Sequence, residues 1–429
     1  MLNSRKKVKG VQKLENKNLF SFGQKIFFTC LLVFIFVLGF GAKASAADYY
    51  VAKTGNDTTG DGSMGSPWLT MAKAETSAIN GDTVHVGAGT YVEDNATVHC
   101  LAAAKSIAWI ADGAVTIQGN AAGTCVIRAN TNSDVSFTGF TIDGAGKTNI
   151  IYKQGTGRYT FAGCTATGEV SGEAFNMLGG KLTYQNGTVT ATSTGGGIFY
   201  LFGATEGIVT GNTITTNLVN QEVFYLATNN STGTFSDNVV TVSGTTPRVV
   251  WNAGANSTNI TVDGNTINSN VVANSIIKLS ANTGVAQSAA VTNNTITLTS
   301  ASQTSAPISV SNNATTTITG NTVDMSASTA AAAEFITVLS IGADVTATVS
   351  DNIIKSSNSG GHGISVGTEI PGAGDNKITA TISGNTVYGL LYYDPAFAGT
   401  AACPSIFFGH NTQGSRIKND VCDAGGCGN

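Results

Sequence analysis

Tyr152, Asn176, Tyr200, Tyr225 and Trp251 follow one another at intervals of 24 to 26 residues. Their rings offer apolar faces, and their phenols and amide offer hydrogen bonds, the mixture that lines ligand sites. Cations flank the series at Arg128, Lys153, Arg248 and Lys278. A second set, Glu173, Glu222, Glu334 and His362, holds groups that move protons in acid–base chemistry. Glu222 and Arg248 stand 26 residues apart, so a plain salt bridge is the expectation for that pair. What such spacing means depends on the scaffold that carries it.

That scaffold is written as a repeat. The units TGNTITTN, SDNVVTVS, DGNTINSN, TNNTITLT, TGNTVDMS, SDNIIKSS and SGNTVYGL align on Asn212, Asn238, Asn265, Asn294, Asn321, Asn352 and Asn385, with spacings of 26, 27, 29, 27, 31 and 33. The frame continues backwards through Gly187, Cys164 and Phe140. Three residues before each mark stands an apolar side chain, from Phe137 to Ile382, and two after it another, from Ile142 to Val387. A further apolar strand recurs in each unit, as in IIYK, IFYL, VFYL and VVWN. A period of this length means a solenoid, a propeller or an array. Three short strands in about 25 residues fit one coil of an all-β, right-handed parallel β-helix (solenoid) of about ten to twelve coils. Coils stack about 4.8 Å apart, so the Asn residues form a ladder, each amide donating to and accepting from its neighbours at a buried corner.

Alternation then assigns faces. Ile127, Ile151, Phe175, Phe199, Phe224, Val250, Ile277, Ile308, Ile336 and Ile364 point inward, and the next residue of each points out. The outward row is Arg128, Tyr152, Asn176, Tyr200, Tyr225, Trp251, Lys278, Ser309, Thr337 and Ser365. Such an aromatic stripe suits stacking against sugar rings. The plainer reading is a secondary core covered by loops.

The first 46 residues read as a signal peptide rather than fold. Seven cations from Arg5 to Lys25 precede the apolar run Ile26–Phe40, and Ala44-Ser45-Ala46 offers a small-residue cleavage site. The run of 15 residues is short for a membrane span. The remainder, 47–429, carries 14 basic against 25 acidic residues, about −11, which argues against nucleic acid and, after cleavage, against an anionic membrane as partner. Six cysteines remain. Export permits disulfides, and the C-terminal trio Cys403, Cys422 and Cys427 is expected to hold one within a cap over 400–429.

The stretch DYYVAKTGNDTTGDGSMGSPWLTMAKAETSAINGDTVHVGAGTYVE, Asp48–Glu93, resembles the opening of secreted proteins of the pectate-lyase-like superfamily. The resemblance implies that 47–95 forms an N-terminal cap and first coil, with a strand, a Gly/Asp loop and a short helix whose apolar face would be Leu69, Ala72 and Ile79. It implies that substrates lie along the first strand of each coil. Lyases on this scaffold use calcium held by several Asp, with Lys or Arg as base. Lys153, Arg128, Arg248 and Lys278 would be such bases, but no cluster of three or four Asp accompanies them. The segment SGGHGISVGT around His362 resembles the Gly-His-Gly segment of polygalacturonases, and SRIKND around Arg416 and Lys418 their Arg-Ile-Lys segment. The Asp residues that supply acid and base there have only Glu334 as counterpart here.

Two other surfaces invite a function. Outward Thr pairs such as Thr165/Thr167, Thr188/Thr190, Thr213/Thr215 and Thr295/Thr297 resemble the water-ordering face of ice-binding β-solenoids, although Thr is simply a good exposed strand residue. In the loop GNDTTGDGS, Asp57 and Asp61 would be the ligands of a calcium ion, with a capping turn as the plainer role. The expectation from sequence is a secreted, cell-surface or periplasmic β-helix protein whose partner is an extracellular polysaccharide, bound along the first-strand face, with cleavage there as a further option. The alternative is a non-catalytic surface, adhesin or structural protein.

Overall fold

The computed structural model describes residues 46–388 with short interruptions (94–100, 205, 227–230, 246–247, 254–258, 271–274, 282–286, 301–304, 329–333, 341–342, 357–361 and 369–377), together with 406–408 and 416–419. The leader and the cysteines Cys403, Cys422 and Cys427 lie outside the described residues.

Among the described residues the strand ladders are parallel, and each strand pairs with its counterpart one repeat away. A first column of twelve strands runs from Leu101–Ala102 to Ile406–Phe408. A second column, from Val135–Thr138 to Arg416–Asn419, and a third, from Thr141–Asp143 to Thr386–Tyr388, belong to one larger sheet. They join because Thr83–Glu93 and Ala108–Gly119 run through the corner without a break, with only a register shift at Gly87/Gly89. This is the parallel β-helix that period and alternation require.

Both inward sets are core: Ile127 to Ile364, named by alternation, are fully buried, and so are the apolar residues three before each repeat mark. Phe137, Phe161, Tyr184, Val209, Phe235, Val262, Val291, Ile318, Val349 and Ile382 are fully buried and stand in register from coil to coil. Aromatic residues fill the early coils, with Phe137 stacked on Phe161 at 5.4 Å and Phe175 on Phe199 at 4.8 Å.

The seven ladder asparagines form one continuous file. Each Nδ2 donates to the Oδ1 of the next Asn at 2.8–3.0 Å, from Asn212 to Asn385. The same Oδ1 also accepts the backbone N–H of the preceding Asn at 3.0 Å. A second donation reaches a carbonyl of the previous coil, such as Val209 O from Asn238 and Phe235 O from Asn265. Before each Asn the backbone turns through positive φ, at Gly211, Asp237, Gly264, Asn293, Gly320, Asp351 and Gly384. Gly, Asn and Asp tolerate that conformation best.

The N-terminal helix, Met71–Ser77, is capped by Thr70, whose side chain accepts from Lys73 N. Its buried face is Met71, Ala74 and Ala78, with Glu75. This corrects the expected face: Leu69 precedes the helix and is 36% exposed, and Ile79 follows it at 51%. The Thr70 cap starts the helical period two residues later than Leu69.

Candidate functional site

The outward row of the first column assembles in register. Arg128 stands opposite Tyr152, Tyr152 opposite Asn176, Asn176 opposite Tyr200, Tyr200 opposite Tyr225, Tyr225 opposite Trp251 and Trp251 opposite Lys278. Tyr152, Asn176, Tyr200, Tyr225 and Trp251 are all partly exposed. Beyond Lys278 the row turns small, with Ser309, Thr337 and Ser365.

Neighbouring aromatic side chains use their faces on one another. Tyr200 and Tyr225 stack with centroids 4.9 Å apart and planes 10° apart, the separation of adjacent strands. Tyr225 and Trp251 are also 4.9 Å apart but tilted by 56°. The Arg248 guanidinium covers Trp251 at 4.3 Å, and Arg128 lies over Tyr152 at 5.2 Å. Between Tyr152 and Tyr200, however, the row holds Asn176 and no ring. Two rung spacings, about 9.6 Å, separate these tyrosines across a short side chain. Arg128 covers Tyr152 from the far side and Tyr225 does the same for Tyr200. The facing sides of the two tyrosines therefore border a slot roughly the depth of one flat ring. Asn176 forms its floor: its Nδ2 donates to Glu173 Oε2 at 3.0 Å, and its Oδ1 is buried with no hydrogen-bond partner. The slot's margin is apolar, because Phe202 lies parallel to Tyr200 at 5.9 Å and is 53% exposed, and Leu178 is 38% exposed.

The local field is negative. Burial, then Glu173 and Glu222, push the Tyr200 phenol above its ordinary value. Burial, then Tyr200 and Glu222, do the same to Tyr225. Glu222 itself is raised by burial against the pull of Arg248, to which it is bonded at 2.9 Å. That is the salt bridge expected of the pair.

The remaining candidates scatter. Lys153 corrects its expected place on the flank of the stripe. It is fully buried, stands opposite inward Met177, and donates to the carbonyls of Thr131, Gln154 and Gly155 at 2.9, 2.7 and 3.2 Å. Burial lowers its pKa to about 8. Lys278 sits at the far end of the row beside Trp251. The backbone of Glu334, two coils beyond Lys278, faces that of His362, three coils beyond it; the His362 side chain lies outside the described residues. Arg416 and Lys418 belong to the second column, opposite Thr379 and Thr381, whereas His362 is in the first. The two polygalacturonase-like segments therefore fall on different columns.

Asp57 and Asp61 are engaged within the cap. Asp57 accepts from Leu69 N, Thr70 N and the Thr70 hydroxyl, and Asp61 accepts from Ser63 N. Hydrogen bonds from the Ser63 side chain and then from its N–H hold the Asp61 carboxyl below its ordinary value. Among the described residues no group of three or more His, Cys, Asp or Glu could hold a metal ion. On the third column the Thr row Thr141–Thr165–Thr188–Thr213 is in register, and so is Thr266–Thr295–Thr322, with exposed Val239 and Ile353 between and after them.

Phe202 and Leu178 escaped the sequence reading, although each stands two residues beyond an outward residue and shares its parity. The slot was also legible as the one non-aromatic member between Tyr152 and Trp251.

No family model and no curated protein matches the sequence. Solved structures with a similar course of chain include pectate lyase Pel9A, with TM-score 0.34, 14% identity, and 81% of this chain and 79% of that one covered. XylC in complex with xylose gives 0.33, 11%, 82% and 87%, and a rhamnogalacturonan lyase 0.23, 12%, 80% and 87%. Likenesses this loose say nothing about chemistry, which has to come from the chain's own side chains.

Proposed function

We propose that the protein binds an extracellular polysaccharide, with one sugar unit seated in the slot between Tyr152 and Tyr200. The observation that supports this most is the pair of tyrosines two rungs apart, with only Asn176 between them in the row. A pyranose ring is flat enough to enter, its C–H faces meet the tyrosine rings, and the Asn176 side chain turns its closed-off Oδ1 out to accept from a sugar hydroxyl. Glu173 accepts from a second hydroxyl. Phe202 and Leu178 give the next unit an apolar bed. The neighbouring Glu173 and Glu222 carboxylates favour a neutral glycan over a polyanion, in keeping with the acidic net charge.

Recognition rather than bond cleavage is the reading the side chains support. Glu222 is tied to Arg248, and Lys153 is turned inward onto carbonyls. A panel of soluble neutral polymers, polygalacturonate and alginate would be screened for binding, for new unsaturation and for new reducing ends. Binding of a neutral polymer, weakened at least about tenfold by Tyr152→Ala or Tyr200→Ala, is the expected result. No binding anywhere on the panel, or binding indifferent to both substitutions, would overturn the proposal. Release of unsaturated or reducing products would move the protein among the enzymes.

A further inference from the structure

Ala47, the residue that follows the small-residue motif of the leader, is bonded to a buried carboxylate. Ala47 N donates to Asp82 Oδ1 at 3.0 Å, and Ala47 O accepts from Thr83 N at 2.9 Å, so the residue is seated before the strand Asp48–Val51 begins. Asp82 is only 1% exposed. Its other oxygen accepts from Ile79 N at 2.7 Å. No Lys, Arg or His among the described residues forms an ion pair with it. Asp134 and Arg158 line the same hollow of about 230 Å³, but Arg158 is committed to Glu206 and Thr183. Backbone amides satisfy both oxygens of this carboxylate, and a positive charge at the position of Ala47 N would turn one of those bonds into a charge-assisted one.

The second of the chain's two compact units begins at Ala47, directly after the small-residue motif Ala44-Ser45-Ala46. We propose that Ala46–Ala47 is the bond cut by a signal peptidase, and that Asp82 is the built receptor for the ammonium this releases. Water adds to the Ala46 carbonyl, the C–N bond breaks, Ala46 leaves as a carboxylate, and the Ala47 amine takes up a proton. The precursor offers Asp82 only a neutral N–H. The mature chain offers a cation at the same place, and the hydrogen bond becomes an ion pair that fixes the first strand on Thr83–Val86.

The full chain would be produced in a secreting host and its N-terminus read by intact mass and Edman sequencing. Ala47 is the expected first residue; a retained leader or a start elsewhere overturns the proposal. Hydrogen exchange of the Asp48–Val51 amides would then be compared between the secreted protein and a chain with Gly-Ser before Ala47. Exchange slower by roughly tenfold in the secreted form is expected, and equal rates overturn the role of Asp82. In Asp82→Asn the two forms are expected to exchange alike. Should that variant not fold, the comparison in the native background decides alone.

Discussion

Asn265 shows what one side chain contributes to this molecule. It accepts from Asn238 N and Nδ2, and its own Nδ2 donates to Phe235 O and Asn294 Oδ1, all out of reach of water, with a longer shared bond to the half-buried Asp263 O. Asn265→Ala leaves two donors of Asn238 without their acceptor. It is expected to cost roughly 2–4 kcal/mol of local stability, read as faster hydrogen exchange in the strands on either side, while substitution of exposed Thr266 by Ser changes little. The file was legible in advance because the Asn marks recur with the apolar period. Lys153 was not. Its parity with Ile151 places it inside, yet its charge suggests the surface. The corner carbonyls of Thr131, Gln154 and Gly155 reverse that expectation by supplying the ammonium with acceptors the sequence does not advertise.

At the scale of an element, the corner before each Asn follows a rule finer than the repeat. From Asn186 onward the positive-φ position alternates Asn186, Gly211, Asp237, Gly264, Asn293, Gly320, Asp351, Gly384. Each Asn or Asp side chain lies over the glycine of the next coil: a Cβ on Gly264 would come within 2.7 Å of Asp237 Oδ1, and one on Gly320 within 2.6 Å of Asn293 Oδ1. Gly264→Ala is therefore expected to lose about 1–3 kcal/mol through φ and crowding together, measured by denaturation, and Asp237→Gly in the same chain to restore part of it. The alternation is visible in TGN, SDN, DGN and TNN, but its reason is a contact between coils. The cap helix is likewise set by contacts beyond its own sequence. Glu93 accepts from Met71 N and Ala72 N, and Glu75 accepts from Ala104 N and Lys105 N. Burial raises the Glu75 pKa to about 7 from 4.5. The unfolded chain thus loses that proton first. The contribution of Glu75 is fully present below about pH 4.5 and is lost as pH rises towards 7, a change of roughly 3 kcal/mol. Glu75→Gln is expected to flatten the stability profile across that window. A profile of unchanged slope would contradict the assignment. Glu93 and Glu222, shifted upward too, retain their part in both proteins.

At the scale of the whole molecule, stacking converts residues one repeat apart in sequence, 24 to 26 positions along the aromatic stripe, into neighbours one rung apart. The sequence carried the row from Arg128 to Ser365 because parity and period suffice to place it. It did not carry the use of the rings. Tyr200 and Tyr225 stack face to face and Arg248 covers Trp251, so an unbroken aromatic ladder would present mainly edges. The recognition surface depends on the one interruption, Asn176. The most direct measurement is therefore Asn176→Tyr, with glycan affinity by titration calorimetry and stability by thermal unfolding on the same preparation. The inserted ring continues the ladder and fills the slot, so the expected result is an unchanged or higher melting temperature with affinity at least about tenfold weaker. Affinity that holds or rises in a folded Asn176→Tyr protein would contradict the slot as the binding site, because the sugar would then be lying on the ladder and not within it.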